Sequence, residues 1–138
     1  MIAAESDHAD IAEFIRRLTF NTLIGNGDMH LKNWSLIYPD QRNAKLSPAY
    51  DFVSTIRYLP YDQSALNFSR TRHFDEFLHL ASKAALPRKI VIDTVRETIS
   101  LFMDRWWAEK AHLPMSTDVV ETIDKHLTTL PIIGEALT

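Results

Sequence analysis

The chain has 138 residues, 46% of them hydrophobic and 24% charged, with a formal charge of −3 and no cysteine. That balance belongs to a folded globular polypeptide with its own core. It excludes a disordered chain, a disulfide scaffold, thiolate chemistry and a broad basic face for nucleic acid. No apolar run approaches a membrane span, and the first residues carry no basic-then-apolar leader, so a cytoplasmic setting is expected, with no membrane contact and no direct nucleic-acid binding.

In chain order, the first predicted element is a helix over 8–23. Ile11, Phe14, Ile15 and Leu18 recur on one face, Asp7 is placed to cap it and Gly25 to end it. A loop follows over 24–33. Trp34–Tyr38 and Ala44–Ser47 read as two short strands joined by a turn at Pro39–Asn43, so residues 34–52 form a hairpin that returns the chain at Asp51. Residues 53–72 show little periodicity, with one short strand expected near Leu66–Phe68.

From 73 to 134 a helical bundle is expected. Its first helix, Phe74–Ala85, carries Phe77, Leu78, Ala81 and Ala85 on one side. Pro87 opens a second, running from Arg88 to about Lys110 on a stripe of Val91, Val95, Ile99, Phe102 and Trp106. Ser116 is placed to cap a last helix, marked by Val119, Val120, Ile123, Leu127 and Leu130 and ending near Pro131. The expected fold is a single unit over 1–138, mainly α, with one small β-hairpin beside the 24–33 loop.

That loop carries the chemistry. In Gly25-Asn26-Gly27-Asp28-Met29-His30-Leu31-Lys32-Asn33, an Asp and an Asn stand five positions apart, and a second acid follows in Tyr50-Asp51-Phe52. Kinase-type catalytic loops use this order: an Asp on the nucleophilic hydroxyl, an Asn on a magnesium ion, then an Asp before an apolar residue on the same metal. Phosphoryl transfer asks for little more, because its loose transition state needs alignment and charge neutralisation rather than covalent help. Magnesium takes one or two protein oxygens beside the substrate phosphates, which suits Asn33, Asp51 and ATP. Lys32 could pair with a phosphate or hold Asp28, and His30 could hydrogen-bond the loop. Against this stands the ordinary turn composition of Gly-Asn-Gly-Asp.

The stretch from about Arg16 to Asp51, with Phe20-Asn21-Thr22-Leu23-Ile24-Gly25, Asp28-Met29-His30-Leu31-Lys32-Asn33 and Pro48-Ala49-Tyr50-Asp51, resembles the C-terminal lobe of HipA-like serine/threonine protein kinases. The resemblance implies a helical kinase lobe with Asp28 as catalytic base and Asn33 and Asp51 as magnesium ligands. His30 and Lys32 complete the loop's catalytic set, with Asp28 and Lys32 also facing the ATP. It implies a toxin of a toxin–antitoxin pair, restrained by a helix-turn-helix antitoxin, that phosphorylates protein targets such as aminoacyl-tRNA synthetases. By position, residues 53–72 correspond to an activation segment.

The chain departs from that pattern in one respect. Its three glycines, Gly25, Gly27 and Gly134, form no phosphate-covering loop, and too few residues precede the first helix to make an N-terminal lobe. The expectation is therefore a C-terminal third whose N-lobe is a separate or missing polypeptide, and which binds ATP with magnesium only at about millimolar, roughly 4 kcal/mol. Two other readings stand beside the kinase lobe. One is a small-molecule phosphotransferase of the aminoglycoside or choline kinase type, whose loop begins His-Gly-Asp where this chain has Asn26-Gly27-Asp28. The other is a catalytically silent helical module that binds a partner.

Remaining conspicuous residues read as structural. In the Trp106-Trp107 pair one ring is expected in the core and the other at its margin. His73, His79, His112 and His126 lack zinc-ligand spacing. Arg70-Thr71-Arg72-His73 reads as a solvated basic loop, with contact to phosphates or an acidic substrate as the alternative.

Overall fold

The computed structural model describes residues 8–29, 31–58 and 73–138. The Asp7 cap, His30, the strand expected at Leu66–Phe68 and the Arg70–Arg72 cluster lie outside the described residues. The fold is mainly α: α1 (His8–Ile24), a 3-10 turn at Leu31–Asn33, β1 (Leu36–Ile37), β2 (Lys45–Leu46), α2 (Phe74–Lys83), α3 (Arg88–Glu109), α4 (Thr117–Thr129) and α5 (Pro131–Leu137). Among the described residues, no helix is long and apolar enough to cross a membrane.

α1 and α3 form the body. Ile15 on α1 and Val91, Val95 and Ile99 on α3 are fully buried, and the two helices pack along each other. The stripe read from the α3 sequence is the buried one, with Phe102 half-buried and Thr94 and Thr98 filling the turns between. Polar residues on the buried face of α1 stay satisfied within the helix: Thr19 and Thr22 donate to the Ile15 and Leu18 carbonyls at 2.8 and 3.0 Å. Trp106 is buried and its indole N–H donates to Asp124 at 2.7 Å. Trp107 is exposed, with Lys110 over its ring, so the pair divides between core and margin.

The helix ends differ from the sequence reading in three places. α2 stops at Lys83 rather than Ala85, because Ala85 turns into the left-handed region at φ 53°. Leu86 N–H then bonds the Ala81 carbonyl at 2.8 Å and Ala85 N–H the Ser82 carbonyl, the Schellman pattern that terminates a helix. Ser116 occupies the N-cap of α4 but makes no side-chain capping bond. α4 does end just before Pro131, but Pro131 then begins a helix that was not expected: its missing N–H costs nothing in the first turn, and its fixed φ suits a helix start. α5 lays Ile132 and Ala136 into the core. Its Glu135 accepts the Phe74 N–H at 2.7 Å and meets His73 Nδ1 at 2.7 Å, supplying the cap that α2 lacks from its own N-cap side chain. Those bonds, the backbone one first, hold the Glu135 carboxyl below its ordinary range.

The hairpin pairs Leu36 with Leu46 and Ile37 with Lys45, two residues a side rather than the four or five expected. At its tip the Asp40 carboxylate accepts both the Asn43 and Arg42 backbone N–H groups, at 2.7 and 3.0 Å. These bonds pull its pKa to about 2. The hairpin is pinned to α1 by polar bonds: Leu46 N–H donates to Asp10 at 2.9 Å, and Arg17, itself held by Glu13, donates to the Ser47 carbonyl at 2.7 Å. Trp34 stacks obliquely on Phe14, ring centres 4.6 Å apart. These contacts fix the chain on both sides of the loop between α1 and β1.

Candidate active site

α1 ends where the candidate loop begins. Gly25 has φ +68°, and a Cβ there would lie 2.8 Å from the Ile56 Cβ, so both conformation and space require glycine. Asn26 N–H bonds the Asn21 carbonyl at 2.9 Å and Gly25 N–H the Thr22 carbonyl at 3.3 Å, a second Schellman end. The turn that follows is folded around the buried Asn26 side chain. Its amide nitrogen donates to Asn21 Oδ1 at 2.6 Å and reaches the Asp51 carbonyl at 3.4 Å, while its oxygen accepts the Asp28 N–H at 3.1 Å.

One amide thus touches the backbone of both acids singled out in the sequence. Burying it unpaired would cost about 1–3 kcal/mol, so the network specifies this turn and no other.

Asn33 and Asp51, 18 positions apart, meet: Asn33 Nδ2 donates to Asp51 Oδ2 at 3.0 Å. Asn33 closes the 3-10 turn, and Asp51 sits at φ 56°, a left-handed conformation uncommon outside glycine but tolerated by Asp. Tyr50, next to it, donates its hydroxyl to the Lys32 carbonyl at 2.9 Å and so ties the returning strand to the loop. The Asp28 and Lys32 side chains are exposed. Beyond Asp51 the chain comes back along the turn: Thr55 Oγ1 accepts the Gly27 N–H at 2.7 Å, and Thr55 N–H donates to the Gly25 carbonyl at 3.1 Å.

The donor chemistry of the Asn33–Asp51 pair fits a hard divalent cation. Two oxygens on one octahedral magnesium stand about 2.9 Å apart, and a half-turn of the Asn33 amide puts its oxygen where its nitrogen now faces Asp51. Among the described residues, no group of three or more His, Asp or Glu side chains gathers to hold a metal. The Asn33–Asp51 pair by itself could supply two oxygen ligands to such an ion. His126, one of the histidines read as structural, is a core residue, with Nε2 2.8 Å from the Thr22 carbonyl.

Asp28 and Asn33 were singled out by their spacing and Asp51 by its order and type; the structure brings the Asn33 and Asp51 side chains together, and links the Asp28 backbone to that of Asp51 through Asn26. Asn26 stood out in the sequence only as the residue in the place of a histidine, and Thr55 carried no signal at all.

The HipA-like C-terminal domain model matches residues 1–106. The chain belongs to the HipA-like C-terminal domain family. The protein named "Putative kinase Y4dM" of Sinorhizobium fredii is 57% identical over 98% of this chain and 34% of its own length. "Putative kinase" of Haemophilus influenzae is 46% identical over 39% of this chain and 16% of its own. Among solved structures, HipA of Shewanella oneidensis MR-1, in complex with HipB and its operator DNA, has a similar fold: TM-score 0.71, 20% identity, 98% of this chain and 35% of that one. The chain described here thus spans about a third of the length of the Sinorhizobium protein and of the Shewanella HipA chain. Its mainly helical body with one antiparallel hairpin is the HipA C-terminal fold.

Proposed function

We propose that this chain is the base- and metal-bearing part of an ATP- and magnesium-dependent serine/threonine protein kinase of the HipA type. The observation that carries the reading is the 3.0 Å meeting of Asn33 and Asp51 beside the Asp28 turn. Family membership and the kinase names of its relatives agree with it.

In this reading Asp28 accepts a hydrogen bond from the substrate hydroxyl and takes its proton as the phosphoryl group transfers. Its backbone N–H is held by the Asn26 amide oxygen, which would limit how far the carboxylate has to be ordered when substrate binds. Asn33 and Asp51 would hold the magnesium ion, which neutralises charge on the nucleotide phosphates. Lys32 would face the same phosphates or steady Asp28, and His30 would serve the same loop, the role the family resemblance gives it. The nucleotide-covering part would come from the rest of the longer protein, or from a separate polypeptide. The HipA–HipB complex motivates a helix-turn-helix antitoxin as partner, with operator DNA reached through it, in a cytoplasmic toxin–antitoxin system. An aminoacyl-tRNA synthetase is the class of protein target the family suggests.

The test joins this chain to the remaining two-thirds of Y4dM in place of the matching segment and measures transfer of labelled γ-phosphate. Magnesium-dependent labelling of a protein serine or threonine is expected. Labelling of an aminoglycoside or choline instead would favour a small-molecule phosphotransferase, and no transfer to any acceptor would contradict the reading.

A further inference from the structure

We propose that Thr55 is a positioning residue for the reaction, its hydroxyl clasping the Asp28 turn to the chain that leaves Asp51. The proposal rests on the kinase reading above. Residues 51–55 form no helix or strand, so individual bonds decide where they lie.

Thr55 supplies three of them. Its Oγ1 accepts the Gly27 N–H at 2.7 Å and donates to the Gly25 carbonyl at 3.3 Å, and its own N–H donates to that carbonyl at 3.1 Å. Donor and acceptor at once, this is a task for a hydroxyl and for no apolar side chain of the same shape.

The partner side is built to match. Gly27 is buried, so its N–H depends on the threonine rather than on water, and a Cβ at Gly27 would come within 3.1 Å of Oγ1. The next residue is Asp28. Four residues before Thr55 is Asp51. A second link between the two segments, Asn26 to the Asp51 carbonyl, is longer at 3.4 Å, against 2.7 Å for the Thr55 bond. Loosening it frees the base to drift relative to the Asn33–Asp51 pair. An error of about 1 Å in such a placement costs on the order of a hundredfold in rate.

The experiment compares Thr55→Val, which keeps the shape and removes the hydroxyl, with Thr55→Ser, which keeps the hydroxyl. In the Y4dM hybrid, Val should lower kcat by about ten- to a hundredfold with KM for ATP within about twofold, and Ser should stay near the unsubstituted rate. In this chain alone, hydrogen exchange at the Gly27 amide should accelerate in the Val variant and hold in the Ser variant. Unchanged kcat in Val would overturn the proposal. So would an equal loss in Ser, because the role would then belong to the methyl group. An unsubstituted hybrid that transfers no phosphate defeats the kinase reading instead. Exchange at Gly27 that ignores Thr55→Val shows separately that the clasp does not exist.

Discussion

α1 and α2 end in the same hydrogen-bond pattern, a Schellman turn with one residue in the left-handed region, yet the two turns belong to different kinds of structure. At the end of α1 that residue is Gly25, and Ile56 packs so close that no Cβ fits. At the end of α2 it is Ala85, exposed, with its Cβ in solvent. The first turn opens the candidate site, where segments without regular structure cross at hydrogen-bond distance through Asn26, Thr55 and Tyr50. The second joins two helices of an apolar body. The body is held by area removed from water, a term spread over many side chains. The site is held by a few polar bonds, each with its own consequence.

Substitutions that separate these two regimes test the contrast. The largest effect is expected at Asp28→Ala: phosphoryl transfer by the Y4dM hybrid should fall about 10³–10⁴-fold while nucleotide affinity and melting temperature stay near their starting values. A matching fall in melting temperature would mean Asp28 is structural. Phe77→Ala removes a fully buried ring from the body. It should cost about 3–5 kcal/mol in chemical denaturation and leave the per-molecule rate of the folded fraction unchanged. At the turns, Gly25→Ala must meet both the positive φ and the Ile56 contact, and should lose about 2–4 kcal/mol. Ala85→Gly removes only the conformational strain of an exposed alanine and should gain about 0.5–1 kcal/mol. If both substitutions shift stability the same way, the two turns do not differ as described.

The body was legible in the sequence because burial there follows helical period: the Val91, Val95, Ile99 and Trp106 stripe is the buried face of α3. α5 was missed for a local reason. Pro131 signals both the end of one helix and the start of another, and only the packing of Ile132 and Ala136 decides between them. The hairpin was placed correctly but came out shorter, since its anchors are the side chains of Asp10 and Arg17 rather than a long ladder. In the candidate site, Asp28, Asn33 and Asp51 stood out in the sequence because their types and order are those a metal-assisted phosphoryl transfer would call for. Asn26 and Thr55 bond between segments about 25 to 30 positions apart, which no local pattern encodes.

The central claim is that Asn33 and Asp51 share one cation, and manganese, a paramagnetic stand-in for magnesium, reads this directly. In a titration of the isotope-labelled chain with manganese and ATP, resonances of Asn33 and Asp51 should broaden together before others, and Asn33→Ala or Asp51→Ala should each abolish the effect at both positions. Broadening centred on other carboxylates, or a response at one of the two that survives loss of its mate, would contradict the account.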